Sequence, residues 1–266
     1  WARCVVSSRL FGVMAAGSRT SALVPMADMF DHAPEHTVRW GRRPQTGFTL
    51  VAEQAVEAGA SMSVTYGDKC NAILLAYYGF CLEDNPDNRA EILVQPLSAG
   101  HPFSEHAESF GTRQQKLQAF RVPARFHDKH TLALFSYLRL AFLDGTCAGR
   151  QLVNEQGKVP PISRANEIAV LNALLSACQR RMREFATSIE QDEELLEQGA
   201  LSRNVRNAVK VRHGEKVVLR YFLELAQTAL SVFEDASCDM NKYAADGKPY
   251  ADYFADVARS FARRVD

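Results

Sequence analysis

The 266-residue chain carries 31 basic and 31 acidic side chains, and 47% of its residues are hydrophobic. That apolar share suits a globular chain with a real core. The balanced charge gives no support for a nucleic-acid partner, which ordinarily calls for a basic excess. No run of about 20 apolar residues occurs, so no membrane span or membrane partner is expected.

The cysteines Cys4, Cys70, Cys81, Cys147, Cys178 and Cys238 form no Cys-x-x-Cys or Cys-x-Cys pair, and no Cys/His cluster has zinc-ligand spacing. No metal is therefore expected, and the thiols read as buried side chains of a reducing compartment. The chain opens on Trp1 rather than Met and shows no secretory signal. An intracellular location in cytoplasm, nucleus or plastid is compatible with this, and the sequence does not choose among them.

In chain order, residues 1 to about 95 read as short strands and loops with one helix. Val24 to Phe30, Gly47 to Ala52 and Met62 to Tyr66 are predicted strands, rich in Val, Thr, Phe and Met. Val56 to Ala60 is a turn, Asn71 to Phe80 a helix, Glu83 to Asn88 a loop, and Ile92 to Val94 a short strand. From about residue 105 the spacing becomes helical. Leu132, Phe135, Leu138, Leu140 and Phe142 mark one helix. Ser163 is a predicted N-cap for a helix carrying Ile168, Leu171, Leu174, Cys178, Met182 and Phe185. Thr187-Ser188-Ile189-Glu190 reads as a capping box. A long helix runs from about Arg203 to Phe233 with a break expected at Gly214, and Tyr250, Phe254, Val257 and Phe261 mark a last docking helix. Arg259, Arg263 and Arg264 read as its polar face. Arg203, Arg206, Lys210, Lys216 and Arg220 neighbour the acidic run Glu190 to Glu197, which reads as two solvated helices with some charge pairing. A peptide-docking groove is the sharper alternative.

Two motif sets, in order, carry a resemblance. The first is Val24-Pro25-Met26-Ala27-Asp28-Met29-Phe30-Asp31-His32, then Val64-Thr65-Tyr66-Gly67, then Cys70-Asn71-Ala72 leading to Tyr77-Tyr78-Gly79-Phe80. The second is Ile162 to Glu167, Thr187 to Leu196 and Val211 to Leu219. Together they resemble SET-domain protein methyltransferases of the Rubisco large-subunit methyltransferase-like class. The resemblance implies an α+β fold, with a small, mostly antiparallel SET-type β region that is incomplete at its N-terminus, followed by an all-α lobe. It places the C-terminal part of a SET domain at residues 1–100 and a helical Rubisco LSMT substrate-binding-like domain at 101–266. The chain contains no Gly-x-Gly, and the Gly-rich strand of the family is not found. The chain accordingly reads as the C-terminal part of a longer enzyme or as a degenerate relative.

The implied activity is protein-lysine N-methylation from S-adenosylmethionine, without a metal. The implied partner is a protein presenting a lysine, or a histidine in one branch of the family. Tyr66 takes the catalytic position. Arg9, Asp28, Met29, Phe30, Asp31, His32, Cys70 and Asn71 take cofactor-binding positions, and Tyr77, Tyr78 and Phe80 take the substrate channel. Three positions depart from the family pattern: Asp31 where Asn is usual, Cys70 where Ser is usual, and Ile73 where Glu is usual. The change at Asp31 matters most, because an amide donates and accepts hydrogen bonds while a carboxylate only accepts. Two other readings stay open, a protein-histidine methyltransferase and a non-catalytic pseudo-methyltransferase that binds peptides through its helical lobe.

Overall fold

The computed structural model describes residues 1–15, 17–43, 47–98, 100–101, 103–104, 110–114, 117–143, 152–154, 157–235 and 239–262. Cys147, Cys238, Arg263 and Arg264 lie outside them. The fold is mixed α and β, with short antiparallel strands and several helices, in agreement with the α+β expectation. By packing, the chain divides into two compact units, Trp1–Leu82 and Glu83–Asp266. No described helix is long and apolar enough to cross a membrane.

The first unit begins with helix α1 (Ala2–Ser7) and the hairpin β1 (Leu10–Ala15) and β2 (Ser18–Leu23). A second hairpin pairs β4 (Val38–Arg43) with β5 (Gly47–Ala52), so that Val38 faces Ala52. Between the hairpins, β3 (Asp31–His32) runs parallel to β6 (Ser63–Val64). Helix α2 (Asn71–Tyr78) closes the unit and stops at Gly79, whose left-handed φ of 80° lets its N–H reach the carbonyls of Leu74 and Leu75. The strand expected over Val24 to Phe30 is not formed. Pro25 has no N–H to donate, Met26 takes a φ of 74°, and Ala27–Met29 winds into a 3-10 turn. Met62 to Tyr66 likewise shortens to Ser63–Val64. Among the described residues, the apolar side chains buried in this unit are Val13, Ala27, Val38, Val64 and Leu74, a thin core.

The second unit holds most of the buried apolar side chains. Strand β7 (Arg89–Val94) pairs antiparallel with β9 (Leu117–Pro123), whose other edge takes β8 (Thr112–Gln114). The lobe beyond residue 100 therefore contains strands as well as helices, which corrects its all-helical reading. The segment Leu117-Gln118-Ala119-Phe120-Arg121-Val122 is buried at most positions rather than alternately, so it lacks the two-residue period that marks a strand.

Around this sheet pack α3 (Lys129–Ala141), α4 (Arg164–Arg183), α5 (Ile189–Glu197), α6 (Arg203–Glu234) and α7 (Ala251–Ala262). Ser163 caps α4 as expected, accepting from the Asn166 amide. The capping box of α5 sits one residue later than expected: Ser188 is the cap and Gln191 its partner. Thr187 instead donates to Asp192 at 2.9 Å. Only one of the four described cysteines, Cys178, is buried; Cys4 is exposed and Cys70 and Cys81 are half-buried.

Two charged networks organise the helices. Arg139 clamps Glu167 with two bonds, 2.6 and 3.1 Å, and its Nη1 donates to the Val159 carbonyl at 2.8 Å. Tyr253 adds a hydroxyl to Glu167 at 3.0 Å and joins α7 to α3 and α4. In the second network Lys216 and Arg212 of α6 reach Asp192 of α5 at 2.6 and 2.7 Å, with Lys216 and Asp192 fully buried. Burial alone would raise the Asp192 pKa, but the bonds from Arg212, Lys216 and Thr187 outweigh it and hold the carboxyl below its usual range. Much of the basic face of α6 is thus paired with α5 and with the loop after α2, where Lys210 meets Glu83 at 2.6 Å. Helix α6 also runs unbroken through Gly214. A Cβ there would lie 2.6 Å from Asn88 Cγ, so the glycine makes room for the 83–88 loop rather than ending the helix.

Gly214→Ala should lower unfolding stability by up to about 2 kcal/mol, because overpacking of about 1–3 kcal/mol outweighs the helix-propensity gain of about 1 kcal/mol. Urea unfolding decides; a gain in stability would show that Asn88 moves aside freely. Asp192 has a depressed pKa when folded, so its contribution is present above the unfolded value of about 3.9 and is lost as pH falls below it. Unfolding of Asp192→Asn and the parent should therefore converge as pH drops from about 6 to 3. A constant gap across that range would remove the ion pair from the account.

Candidate active site

Strand β6 leads into Thr65-Tyr66-Gly67, and Tyr66 is fixed from both ends. Its hydroxyl donates to the Phe30 carbonyl at 2.7 Å, and its amide donates to His32 Nδ1 at 3.1 Å. The second bond makes Nδ1 an acceptor, so a neutral His32 carries its proton on Nε2. The His32 ring stacks on Tyr66 at 5.1 Å, Tyr78 lies 4.8 Å from Tyr66, and Phe80 completes the cluster at 6.4 Å from Tyr66. Burial, then repulsion from Asp31 and Tyr78, raise the Tyr66 pKa against the opposing effect of Arg9. Burial raises that of Tyr78. Both phenols are neutral hydroxyls at neutral pH.

In front of Tyr66 is a cavity of about 310 Å³ walled by Arg9, Phe11, Phe30, Trp40, Tyr66 and Tyr78. Arg9 Nη1 donates to the Asp28 carbonyl at 2.8 Å, lies 3.3 Å from Asp28 Oδ2 and 3.7 Å from Met29 Sδ. All three contacts run through one nitrogen, so the Nε and Nη2 edge can still clamp a carboxylate in the bidentate way guanidinium favours. Phe11 and Trp40, also in the wall, meet edge-on at 5.2 Å. A guanidinium and flat aromatic rings lining one cavity are the groups that an amino-acid nucleoside such as S-adenosylmethionine calls for.

Of the residues singled out by sequence, Arg9, Asp28, Phe30, Tyr66 and Tyr78 line this cavity. His32 and Phe80 stand in ring contact with Tyr66. Met29, Asp31 and Tyr77 are exposed. Asp31 reaches the site through its charge on Tyr66. Cys70 N-caps α2 without a side-chain bond. Asn71 is buried and exchanges two 3.0 Å bonds with the Leu82 backbone, which ties the start of α2 to the chain after it. Sequence reasoning did not anticipate Phe11, Arg19, Trp40 and Lys69 in the wall. The one signal for them was aromatic placement, since Trp40 and Phe48 lie diagonally across the β4–β5 ladder and stack at 5.6 Å. Among the described residues, no group of three or more His, Cys, Asp or Glu side chains could hold a metal ion.

Residues 68–219 match a family model described as Rubisco LSMT substrate-binding. The chain is 30% identical over 236 residues to the chloroplastic Rubisco large-subunit N-methyltransferase of Pisum sativum, covering 83% of this chain and 47% of that protein. It is 29% identical over 241 residues to the chloroplastic [fructose-bisphosphate aldolase]-lysine N-methyltransferase of Arabidopsis thaliana, at 83% and 48% coverage. A more distant relative is the actin-histidine N-methyltransferase of Homo sapiens, 25% identical over 218 residues, at 76% and 36%. The chain thus spans about half the length of the curated plant relatives. In fold it is similar to the SET domain of LSMT solved with lysine and AdoHcy, with a TM-score of 0.64 at 24% identity over 95% of this chain and 61% of that one.

The raised phenol pKa has a stability consequence. An unfolded tyrosine ionises near 10, so above about pH 10 the unfolded state loses its proton first and the folded state loses stability. The parent should therefore weaken more steeply than Tyr66→Phe between about pH 9.5 and 11 in thermal melts. Parallel curves would mean that Tyr66 is solvated like a free phenol.

Proposed function

The chain belongs to the Rubisco LSMT substrate-binding family, and on that premise we propose that it is part of an S-adenosylmethionine-dependent protein-lysine N-methyltransferase. Residues 1–100 are assigned to the C-terminal part of its SET domain and 101–266 to its substrate-binding-like domain. The observation that carries the reading is the meeting of Arg9, Phe30, Tyr66 and Tyr78 on one cavity.

Bound S-adenosylmethionine would supply a methyl group activated by a sulfonium. The residues of this chain have the remaining tasks. Arg9 holds a carboxylate, and Phe11 and Trp40 offer a face to an aromatic base. Tyr66, Tyr78 and Phe80 form an aromatic wall that strips water from an incoming amine. A lysine ammonium, with a reference pKa of about 10.4, must lose its proton before its nitrogen can attack. Desolvation beside a cation lowers that pKa, because both disfavour the charged form. The Phe30 carbonyl and the neutral Tyr66 hydroxyl keep fixed polar atoms at this wall. Fixed alignment of this kind removes a large share of the barrier to displacement. Histidine as acceptor is the second reading, favoured by the actin-histidine N-methyltransferases among the relatives.

The test is methyl transfer by the full-length protein to an extract of the source cells, with the labelled protein hydrolysed to amino acids. Methyl-lysine supports the main reading and methyl-histidine the second. S-adenosylmethionine binding in calorimetry without any transfer would point to a non-catalytic adaptor. In the same assay Tyr66→Phe should lower turnover by about 10²-fold, or roughly 2.7 kcal/mol of barrier, with little change in cofactor affinity. Near-parental turnover would take Tyr66 out of the chemistry.

A further inference from the structure

The second unit holds a recess of about 360 Å³ that shares no residue with the cavity in front of Tyr66. We propose that this recess is a carboxylate-binding site in which the Arg89 guanidinium is the anchoring cation. Its wall includes Arg89, Glu91, Phe110, Phe120, Arg121 and His130.

The sequence of β7 builds this wall. Burial alternates along Arg89-Ala90-Glu91-Ile92-Leu93-Val94, so Ala90, Ile92 and Val94 enter the core while Arg89 and Glu91 share the other face. Glu91 lies opposite Arg121 of β9 in the register, and the Arg121 Nε donates to Glu91 Oε2 at 3.2 Å.

That pair leaves Arg89 over. Arg89 is half-buried, and among the described residues its side chain has no ion pair and no hydrogen bond. Its Nε is shut off from solvent and has no acceptor. A buried donor without a partner is costly, whereas a guanidinium and a carboxylate form short, charge-assisted bonds, often two in parallel. His130, in the first turn of α3, also lines the recess. Burial lowers its pKa; Asp128, whose carboxylate accepts the His130 amide at 2.8 Å, opposes this, and Arg89 and Lys129 reinforce it. The ring is therefore uncharged at neutral pH.

The balance of charge selects the ligand. Arg121 and Glu91 offset each other, His130 is neutral and Arg89 remains, so the wall presents one uncompensated positive charge. One carboxylate balances it. A phosphate dianion would set a second negative charge against Glu91 at a Coulomb cost. The rings of Phe110 and Phe120 suit the apolar stem of a short acid. That acid is either free or the side chain of a bound protein, and the chemistry at Arg89 is the same for both.

The full-length protein, isotopically labelled in arginine and histidine, is titrated at constant ionic strength and followed by NMR. The probes are propionate, N-acetylglutamate N-methylamide, propionamide and inorganic phosphate. Resonances of Arg89 and His130 should shift and saturate with both carboxylates, with a Kd of about 1–10 mM for a ligand as small as propionate. Arg89→Gln should weaken binding about tenfold or more, and Arg89→Lys, which keeps the charge but not the planar fork, about threefold. Glu91→Gln keeps Arg89 and removes the opposing charge, so it should tighten binding about threefold. A carboxylate beside His130 favours the imidazolium, so saturation with propionate should raise the His130 pKa.

Tighter binding of the glutamate amide identifies a protein side chain as the source, and equal or tighter binding of propionate a free acid. Five outcomes each overturn the proposal: no saturable shift with either carboxylate, shifts as strong with propionamide, phosphate tighter than propionate, Glu91→Gln no tighter than the parent, or a His130 pKa unmoved at saturation. So does parental affinity in Arg89→Gln.

Discussion

Tyr66 is anchored at its hydroxyl and at its amide to one short segment, Phe30 to His32, and the candidate site follows from that double tie. The parallel pairing of β3 with β6 spans two residues on each strand, too little to fix a side chain by ladder bonds alone. The phenol and the imidazole add the missing constraints. They turn a two-residue bridge into a rigid corner against which Tyr78 and Phe80 pack. A neutral hydroxyl, a backbone carbonyl and an arginine then share one small volume, and the surrounding rings lower its polarity.

The helical unit solves a different problem. Its core contains two ion networks, and a buried charge is tolerated only when its bonds are nearly complete. Arg139 meets this with a bidentate carboxylate and a carbonyl, and Lys216 with a carboxylate and the carbonyls of Thr187 and Ser188. Replacing such a network with apolar residues can be neutral or stabilising, so its effect here is better read as geometry. Tyr253 can place α7 in one register only, where its hydroxyl meets Glu167. Lys216 does the same for the start of α5.

How much of this the sequence reveals depends on whether the signal is local. Ser163 capping α4, the hairpin strand Gly47–Ala52 and the docking helix around Tyr253 and Phe254 are legible because their patterns lie within a few residues. Strand β9 is not, since burial on both faces removes its alternation. The turn at Pro25 and Met26 is also hidden, because the apolar run around it looks like a strand. Tyr66 and Tyr78 could be singled out through family resemblance, yet their neighbours Phe11, Arg19 and Trp40 come from strands far away in sequence and carry no motif. Lys69 lies between two motif segments, and only the fold shows that its side chain turns back to the Tyr66 carbonyl.

The thin core of the first unit has a thermodynamic reach beyond its shape. Among the described residues, five buried apolar side chains hold three two-stranded pairings together, whereas the second unit has one large core cluster and a smaller one. Regions with few buried contacts open locally at much lower free energy than the global value. Local opening of that kind costs least in Trp1–Leu82, the unit that carries the cavity. A small molecule that binds only the closed form draws on this directly, adding about 2.7 kcal/mol at a hundred times its dissociation constant. For so lightly packed a unit that is a large increment, which makes occupancy of the cavity a determinant of folding for the chain around it.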